Sequence, residues 1–246
     1  MRPQTIIIST LLAVFMVGVG FALALVTNII LLRRSVPRYA AYWDSQNLAS
    51  TTDRAITYVA LGDSTAQGIG ATKPENGYIA GVANYIQSTT GRPVHIINLS
   101  KSGARLHDVI STQLPAMNRY QPDIVTLAIG ANDMADYNSG TFDSQLATIL
   151  DRLPITSIVA DLPYFGGGRA QSKQDSAESA SAYIRGQLAS RSLTLAPLEQ
   201  TTREHDSRRN YGADFYHPSN YGYTFWTQAF VTGLQDAEKN QIISYH

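Results

Sequence analysis

Three side chains of the types that cleave esters stand in two short stretches of the chain. Ser64 follows Gly62 and Asp63 in the stretch YVALGDSTAQG, and Asp214 and His217 share the stretch DFYHPS. A serine hydroxyl is a weak nucleophile until a base takes its proton, and a carboxylate that holds the second ring nitrogen of a histidine makes that histidine a better base. Ser64 therefore has two interpretations, a nucleophile or a helix N-cap, since serine and aspartate are common N-cap residues.

Acyl transfer also needs hydrogen-bond donors for the oxyanion that forms on the substrate. The candidates are the backbone N–H groups of Ser64 and Gly103 and the side-chain amide of Asn132. The chain has no cysteine, which excludes a disulfide scaffold and a thiolate nucleophile. The remaining histidines have no partners at metal-ligand spacing. The predicted chemistry therefore requires neither a metal ion nor an organic cofactor.

The elements that would position these residues follow a regular alternation. Apolar, β-branched runs predict strands at 56–61, 94–99, 123–129, 156–160 and 193–198. Helical spacing predicts helices over 76–89, 104–114, 141–152, 171–190 and 219–235. Such alternation is typical of a three-layer α/β/α domain with a parallel sheet, here mostly five-stranded. Ligands of open α/β sheets bind beyond the carboxyl ends of the strands, where Ser64, Gly103 and Asn132 fall.

Four stretches in order along the chain, LGDSTAQG, NLSKSG, GAND and DFYHPS, resemble the conserved blocks of a known family. That family is the SGNH hydrolases, the GDSL-type esterases and lipases, and the resemblance covers essentially all of the chain from residue 56 to the last predicted helix. It implies a flavodoxin-like fold and acyl transfer through a serine ester. The roles it implies are the nucleophile for Ser64, the oxyanion hole for Gly103 and Asn132, and the rest of the triad for Asp214 and His217.

An apolar run precedes this domain. No charged residue lies between Ile6 and Leu32, and a helix over that run would be about 40 Å long, against a bilayer hydrocarbon core of about 30 Å. The run is longer than the apolar region of a secretory signal, which has about 7–15 residues. We therefore expect an uncleaved, single-pass transmembrane anchor over 1–34, a linker or short leading helix over 35–54, and a hydrolase domain over 55–246.

The side of the membrane on which the domain lies has opposing indications. Arg2 precedes the predicted span, whereas Arg33, Arg34 and Arg38 follow it, and this excess of positive charge leans toward a cytoplasmic domain. Members of the family that the chain resembles often act outside the cytoplasm. The resemblance therefore leans toward an extracytoplasmic domain.

The sequence predicts a membrane-anchored serine hydrolase that cleaves carboxylic esters or thioesters through an acyl-enzyme on Ser64. Its expected partners are a small-molecule, lipid or glycan ester and the membrane itself. Nucleic acid is not expected, because the 19 basic and 19 acidic residues balance. Two alternatives stay open: an acyltransferase to a sugar or lipid hydroxyl, which shares the first half-reaction, and a non-catalytic ligand-binding module on the same fold.

Overall fold

The computed structural model describes residues 3–52, 54–166 and 170–244, and for residues 3–14 and Leu25 it describes the backbone alone. Residues 1–2 of the predicted anchor, residue 53 of the leading segment, and 167–169 and 245–246 of the predicted domain lie outside the described residues. The strands are β1 (Ile56–Gly62), β2 (Val94–Asn98), β3 (Ile124–Ala128), β4 (Ser157–Ala160) and β5 (Thr194–Ala196). The helices are α1 (Pro3–Asn47), α2 (Tyr78–Thr90), α3 (Leu106–Asp108), α4 (Leu114–Met117), α5 (Ser139–Leu150), α6 (Gln174–Arg191), α7 (Leu198–Glu204) and α8 (Asn220–Lys239).

The five strands form one parallel sheet in the order β2-β1-β3-β4-β5. β1 lies next to the edge strand β2, and β3, β4 and β5 extend the sheet in sequence order on the other side of β1. This is the flavodoxin-like order, and it confirms the predicted fold class. The strand order reverses between β1 and β3, which places the crevice for a ligand beyond the carboxyl ends of these two strands.

The sheet is covered on both faces, as the nearly continuous apolar runs of its strands require. Successive residues of β1 point to opposite sides: Val59 and Leu61 belong to a core shared with α3, α4, α5 and α6. Tyr58 and Ala60 belong to a second core shared with α2, α8 and the end of α1. All four side chains are fully buried, so the strand that leads into Ser64 is held rigidly from both sides.

Most predicted elements differ from the observed ones only in where they begin or end, and two differ in more than that. The strand predicted at 193–198 ends at Ala196, and Leu198 instead begins α7. The helix predicted at 104–114 consists of α3, a π-helical turn over Val109–Gln113 and α4, and it continues beyond Pro115 to Met117. Pro115 lies in the first turn of α4, directly after the π-helical turn.

The N-terminal helix α1 runs without a break from Pro3 to Asn47, so residues 35–47 are its last turns rather than a separate segment. Within the part of the chain that has been described, α1 is the one helix long and apolar enough to cross a membrane. Its two parts have different surroundings: Phe15 and Phe21 are exposed, whereas Tyr39 and Trp43 are buried against the α/β domain.

Candidate active site

Ser64, His217 and Asp214 form a continuous chain of hydrogen bonds. Ser64 lies in the turn after β1, and its Oγ is 2.9 Å from Nε2 of His217. Nδ1 of the same imidazole is 2.6 Å from Oδ2 of Asp214. The second carboxylate oxygen of Asp214 accepts the backbone N–H groups of Tyr216, at 3.1 Å, and of His217, at 3.0 Å. The fold therefore brings together three residues that lie up to 153 positions apart in the chain.

The carboxyl group of Asp214 is half-buried, and its surroundings act on its pKa in opposite directions. Burial raises the pKa. The pKa is lowered by the hydrogen bond to His217, by the charge of that imidazole and by the two backbone N–H groups. Together these outweigh burial, so the net pKa lies below its usual value. Asp214 is therefore ionised at neutral pH. An ionised carboxylate at Nδ1 holds the ring with Nε2 free to accept a proton from Ser64, and stabilises the imidazolium that results.

The turn that presents Ser64 is closed by its neighbours. Oδ1 of Asp63 accepts the backbone N–H and the hydroxyl of Thr65, each at 2.8 Å, and this side chain therefore stabilises the turn. The Ser64 hydroxyl makes its bond to His217 instead of capping a helix. Glycine is required at position 62, two residues before Ser64, since a Cβ there would lie 2.5 Å from the carbonyl oxygen of Ala128 on β3.

Two of the predicted oxyanion donors, Gly103 and Asn132, lie in the loops that follow β2 and β3. Gly103 lies in a loop beyond β2 with φ of +80°, a conformation that favours glycine. Among the residues that the structure describes, no backbone carbonyl and no side chain accepts the N–H of Ser64 or of Gly103. The amide nitrogen of Asn132 donates to the carbonyl oxygen of Ala104 at 3.0 Å and, over a longer 3.4 Å, to Asp63. One amide proton of Asn132 is thus held only loosely and lies beside the serine turn.

A polar cavity of about 270 Å³ opens beside Asp133, the residue after Asn132. Burial raises the pKa of Asp133 to about 6, although the Leu106 N–H and Arg105 act against it, and its Oδ2 is buried without a partner among the described groups. The cavity also carries Arg105 paired with Asp136 at 2.7 Å, together with Tyr137, Asn138 and Thr141. Within the described ranges, no cluster of three or more potential ligands lies close enough to hold a metal ion.

The sequence analysis did not single out Gln67, which the structure places between the two halves of the site. Its side chain is 4% exposed. Nε2 donates to the carbonyl oxygen of Ser100 at 3.1 Å, and Oε1 accepts the hydroxyl of Ser102 at 2.6 Å. Gln67 therefore joins the turn of Ser64 to the loop that ends at Gly103. A lone glutamine in a turn-like stretch carries no signal of such a role, because both of its partners come from beyond the next strand.

The family is established by comparison with family models. The model described as the GDSL-like Lipase/Acylhydrolase family matches residues 60–225, a range that contains the predicted nucleophile, oxyanion and acid–base residues. The chain therefore belongs to the GDSL-like lipase/acylhydrolase family, as the resemblance of its four stretches predicts, and it is a carboxylic ester hydrolase.

Several solved structures share the fold of this chain. LAE5, described as an alpha/beta hydrolase enzyme from the metagenome of Lake Arreo, Spain, is 18% identical with a TM-score of 0.62, over 73% of this chain and 95% of its own. A lipase/acylhydrolase from Enterococcus faecalis is 21% identical with a TM-score of 0.60, over 74% and 96%. Axe2, an acetylxylan esterase from Geobacillus stearothermophilus, is 16% identical with a TM-score of 0.56, over 74% and 96%. At these identities the likeness concerns the fold, and among curated proteins the sequence has no significant match.

Proposed function

We propose that this chain is a membrane-anchored serine hydrolase that cleaves carboxylic esters through an acyl-enzyme on Ser64. The observation that carries the proposal is the unbroken chain of hydrogen bonds from the Ser64 hydroxyl through His217 to Asp214, at 2.9 Å and 2.6 Å. A serine that only capped a turn would not need a histidine on its hydroxyl, or a carboxylate behind that histidine.

In this mechanism the proton of Ser64 Oγ passes to Nε2 of His217 while Oγ forms a bond to the ester carbonyl carbon. The carbonyl oxygen becomes an oxyanion, which accepts hydrogen bonds from the N–H groups of Ser64 and Gly103 and from the Asn132 amide. The tetrahedral intermediate then breaks its bond to the alcohol oxygen, which takes the proton from His217. Water repeats the same steps on the acyl-enzyme and releases the carboxylic acid, and Asp214 stays ionised throughout.

The position of α1 supports an ester substrate at or near the membrane surface. Tyr39 is already packed on the domain, and it lies seven residues after Leu32, the end of the uncharged run, which is about 10 Å along a helix. Tyr39 bonds to Ala71, next to Gly70, which is close to His217. At the membrane surface, the site could be reached by a lipid ester and equally by an ester of a cell-surface glycan.

We place the domain outside the cytoplasm, an assignment that rests on the resemblance to the family. Since the chain has no cysteine, the variant Leu48→Cys carries a single thiol, at a side chain that is 86% exposed. A membrane-impermeant maleimide should label this thiol in intact cells. Labelling that needs broken cells, with an introduced outer thiol on another protein labelled normally, would place the domain in the cytoplasm.

Hydrolysis of p-nitrophenyl esters and of acyl thioesters tests the activity and the nucleophile together. Ser64→Ala should lower kcat by at least about 10⁴-fold, because removal of the nucleophile of such a triad leaves only the contribution of binding and the oxyanion donors. The matched control is Ser157→Ala, which removes a buried hydroxyl at the start of β4 that donates to the carbonyl oxygen of Pro154. Ser64→Ala turnover near that of the control would contradict the mechanism.

A second arm of this assay separates hydrolysis from transfer to another acceptor. Glycerol and a soluble sugar are added over a range of concentrations, and the released acid and the new ester are quantified. A hydrolase yields mainly the acid at every acceptor concentration. If the new ester dominates at millimolar acceptor, the protein is an acyltransferase that uses the same first half-reaction.

A further inference from the structure

The last turns of α1 place one face of the helix on the part of the domain that carries Ser64. Ser35, Tyr39, Trp43 and Asn47 recur at intervals of four residues, and Tyr39 and Trp43 are 1% and 2% exposed. The described side chains from Phe15 to Leu23 are exposed. α1 therefore changes at about Ser35 from an apolar helix whose described side chains are mostly exposed to a helix packed as part of the domain.

Two ring donors on this face bond to backbone carbonyl groups of the segment after the nucleophile. The Tyr39 hydroxyl donates to the carbonyl oxygen of Ala71 at 2.8 Å, and Nε1 of Trp43 donates to that of Gln67 at 3.0 Å. The same segment is tied back to the serine, because the N–H of Ile69 donates to the carbonyl oxygen of Ser64 at 3.0 Å. α1 thus holds the backbone at Gln67, three residues after the nucleophile, through the ring N–H of Trp43.

Asn47 gives α1 a second point of attachment, on the edge strand β2. Its Nδ2 donates to the carbonyl oxygen of Asn98 at 2.9 Å, and its Oδ1 accepts the N–H of Asn98 at 2.7 Å, as a neighbouring strand would. The side chain of Asn98 in turn donates to the carbonyl oxygen of Ala66 at 2.8 Å and accepts the N–H of Ser100 at 3.1 Å. The end of α1 therefore reaches both the serine turn and the loop of Gly103.

Gln67 completes the connection from α1 to the oxyanion donors. Its carbonyl oxygen accepts the Trp43 ring, while its buried side chain bonds to Ser100 and Ser102. A displacement of the Gln67 backbone would move the side-chain amide with it. The loop carrying the Gly103 N–H would then shift relative to Ser64.

On the basis of the function proposed above, we propose that Trp43 is a positioning residue for catalysis: the membrane-side helix sets the distance between Ser64 and the Gly103 N–H by way of Gln67. A misplacement of about 1 Å costs about 100-fold in rate, so the smaller shift expected when one hydrogen bond is lost should cost about fivefold to twentyfold. The effect should fall on kcat, because the oxyanion exists only in the transition state and the intermediate.

The test uses the full-length protein in detergent micelles and compares Trp43→Phe with wild type. Phenylalanine keeps an aromatic ring in the buried position and removes the Nε1 donor. The matched control is Ser45→Ala, which changes an exposed residue on the same helical turn whose hydroxyl bonds only within α1. The burst of p-nitrophenol titrates the active sites, and kcat is expressed per titrated site, so that a loss of folded protein does not count as a loss of catalysis.

We expect kcat per site to fall about fivefold to twentyfold in Trp43→Phe, with KM within about twofold and Ser45→Ala unchanged. Ser102→Ala breaks the other end of the Gln67 connection. If both act through Gln67, the combined variant should therefore lose less than the product of the two single losses. Should Trp43→Phe fold poorly, Tyr39→Phe removes a single hydroxyl from the same face and should lower kcat per site in the same direction.

An unchanged kcat per site in Trp43→Phe and Tyr39→Phe, with only a lower melting temperature, would overturn the positioning role and leave the helix a purely stabilising element. This failure is distinct from failure of the proposed function, because a wild-type burst or a fluorophosphonate label on Ser64 reports the activated serine independently. A wild type that shows neither the burst nor the label contradicts the proposed function itself.

Discussion

The substitution Asp214→Asn tests the orientation of the imidazole most sharply, because the structure predicts which way the new amide must face. Oδ1 of Asp214 accepts two backbone N–H groups, from Tyr216 and His217. An amide nitrogen in that position would face two donors, so the amide oxygen must stay there. The NH₂ group is then left at the Oδ2 position, 2.6 Å from Nδ1 of His217.

An amide donor at that position requires Nδ1 to be an acceptor, which moves the ring proton to Nε2. His217 can then no longer accept the proton of Ser64, although the positions of all three side chains are nearly unchanged. This wrong tautomer lowers kcat by about 10⁴-fold in a triad of this type, equivalent to about 5.5 kcal/mol of transition-state stabilisation. Since Asp214→Asn keeps the capped turn, we expect its melting temperature to stay close to that of wild type.

The assay is kcat for p-nitrophenyl acetate measured beside the melting temperature, with Asp206→Asn as control. Asp206 is an acidic residue a few positions earlier in the chain, outside the hydrogen-bonded chain of the site. A kcat for Asp214→Asn within tenfold of wild type would refute the reasoning, because it would mean that His217 works without the carboxylate that holds Nδ1.

Three further predictions concern the surroundings of the triad. Asn132→Ala should lower kcat by about 10²–10³-fold with little change in KM, the usual loss for one oxyanion donor, and an unchanged kcat in steady-state assays would remove Asn132 from the site. Asp133→Asn should raise the melting temperature at pH 7.5 but not at pH 4. The folded pKa of Asp133, about 6, lies above the ordinary 3.8, so the stability of the wild type falls as the pH rises between these values. A difference in melting temperature that does not depend on pH would contradict this. Gly70→Ala should lose about 1–3 kcal/mol of stability and most of its activity, since its φ is +98° and a Cβ there would lie 2.8 Å from the Cβ of His217; denaturant unfolding matching wild type would disprove the close approach.

The sheet could be predicted from the sequence because its strands are buried on both faces. Such strands read as short apolar, β-branched runs, and β1 was expected at 56–61 and is found at 56–62. The predicted end of β5 was wrong because Leu198 is as apolar as the strand residues before it. Leu198 follows Pro197 and begins α7, and the packing that decides this is not visible in an apolar pattern.

The residues of the site were predictable because their chemistry is local in sequence, whereas the contacts that fix their geometry are not. Ser64, His217 and Asp214 stand in short stretches with recognisable types and spacing. Gln67 depends on Ser100 and Ser102, which lie across an intervening helix and strand. The packing of Trp43 against Gln67 was equally hidden, since a tryptophan just beyond an apolar span is also typical of the membrane–water interface.

The central claim is that the fold activates the hydroxyl of Ser64, and covalent labelling tests it most directly. The full-length protein is treated with a fluorophosphonate, digested, and mapped by mass spectrometry, with Ser64→Ala treated in parallel. The account predicts one phosphonylated residue, Ser64, in the wild type and no labelled peptide in the variant. An unlabelled wild type that is folded by its melting curve, or a label on another serine that persists in Ser64→Ala, would contradict it.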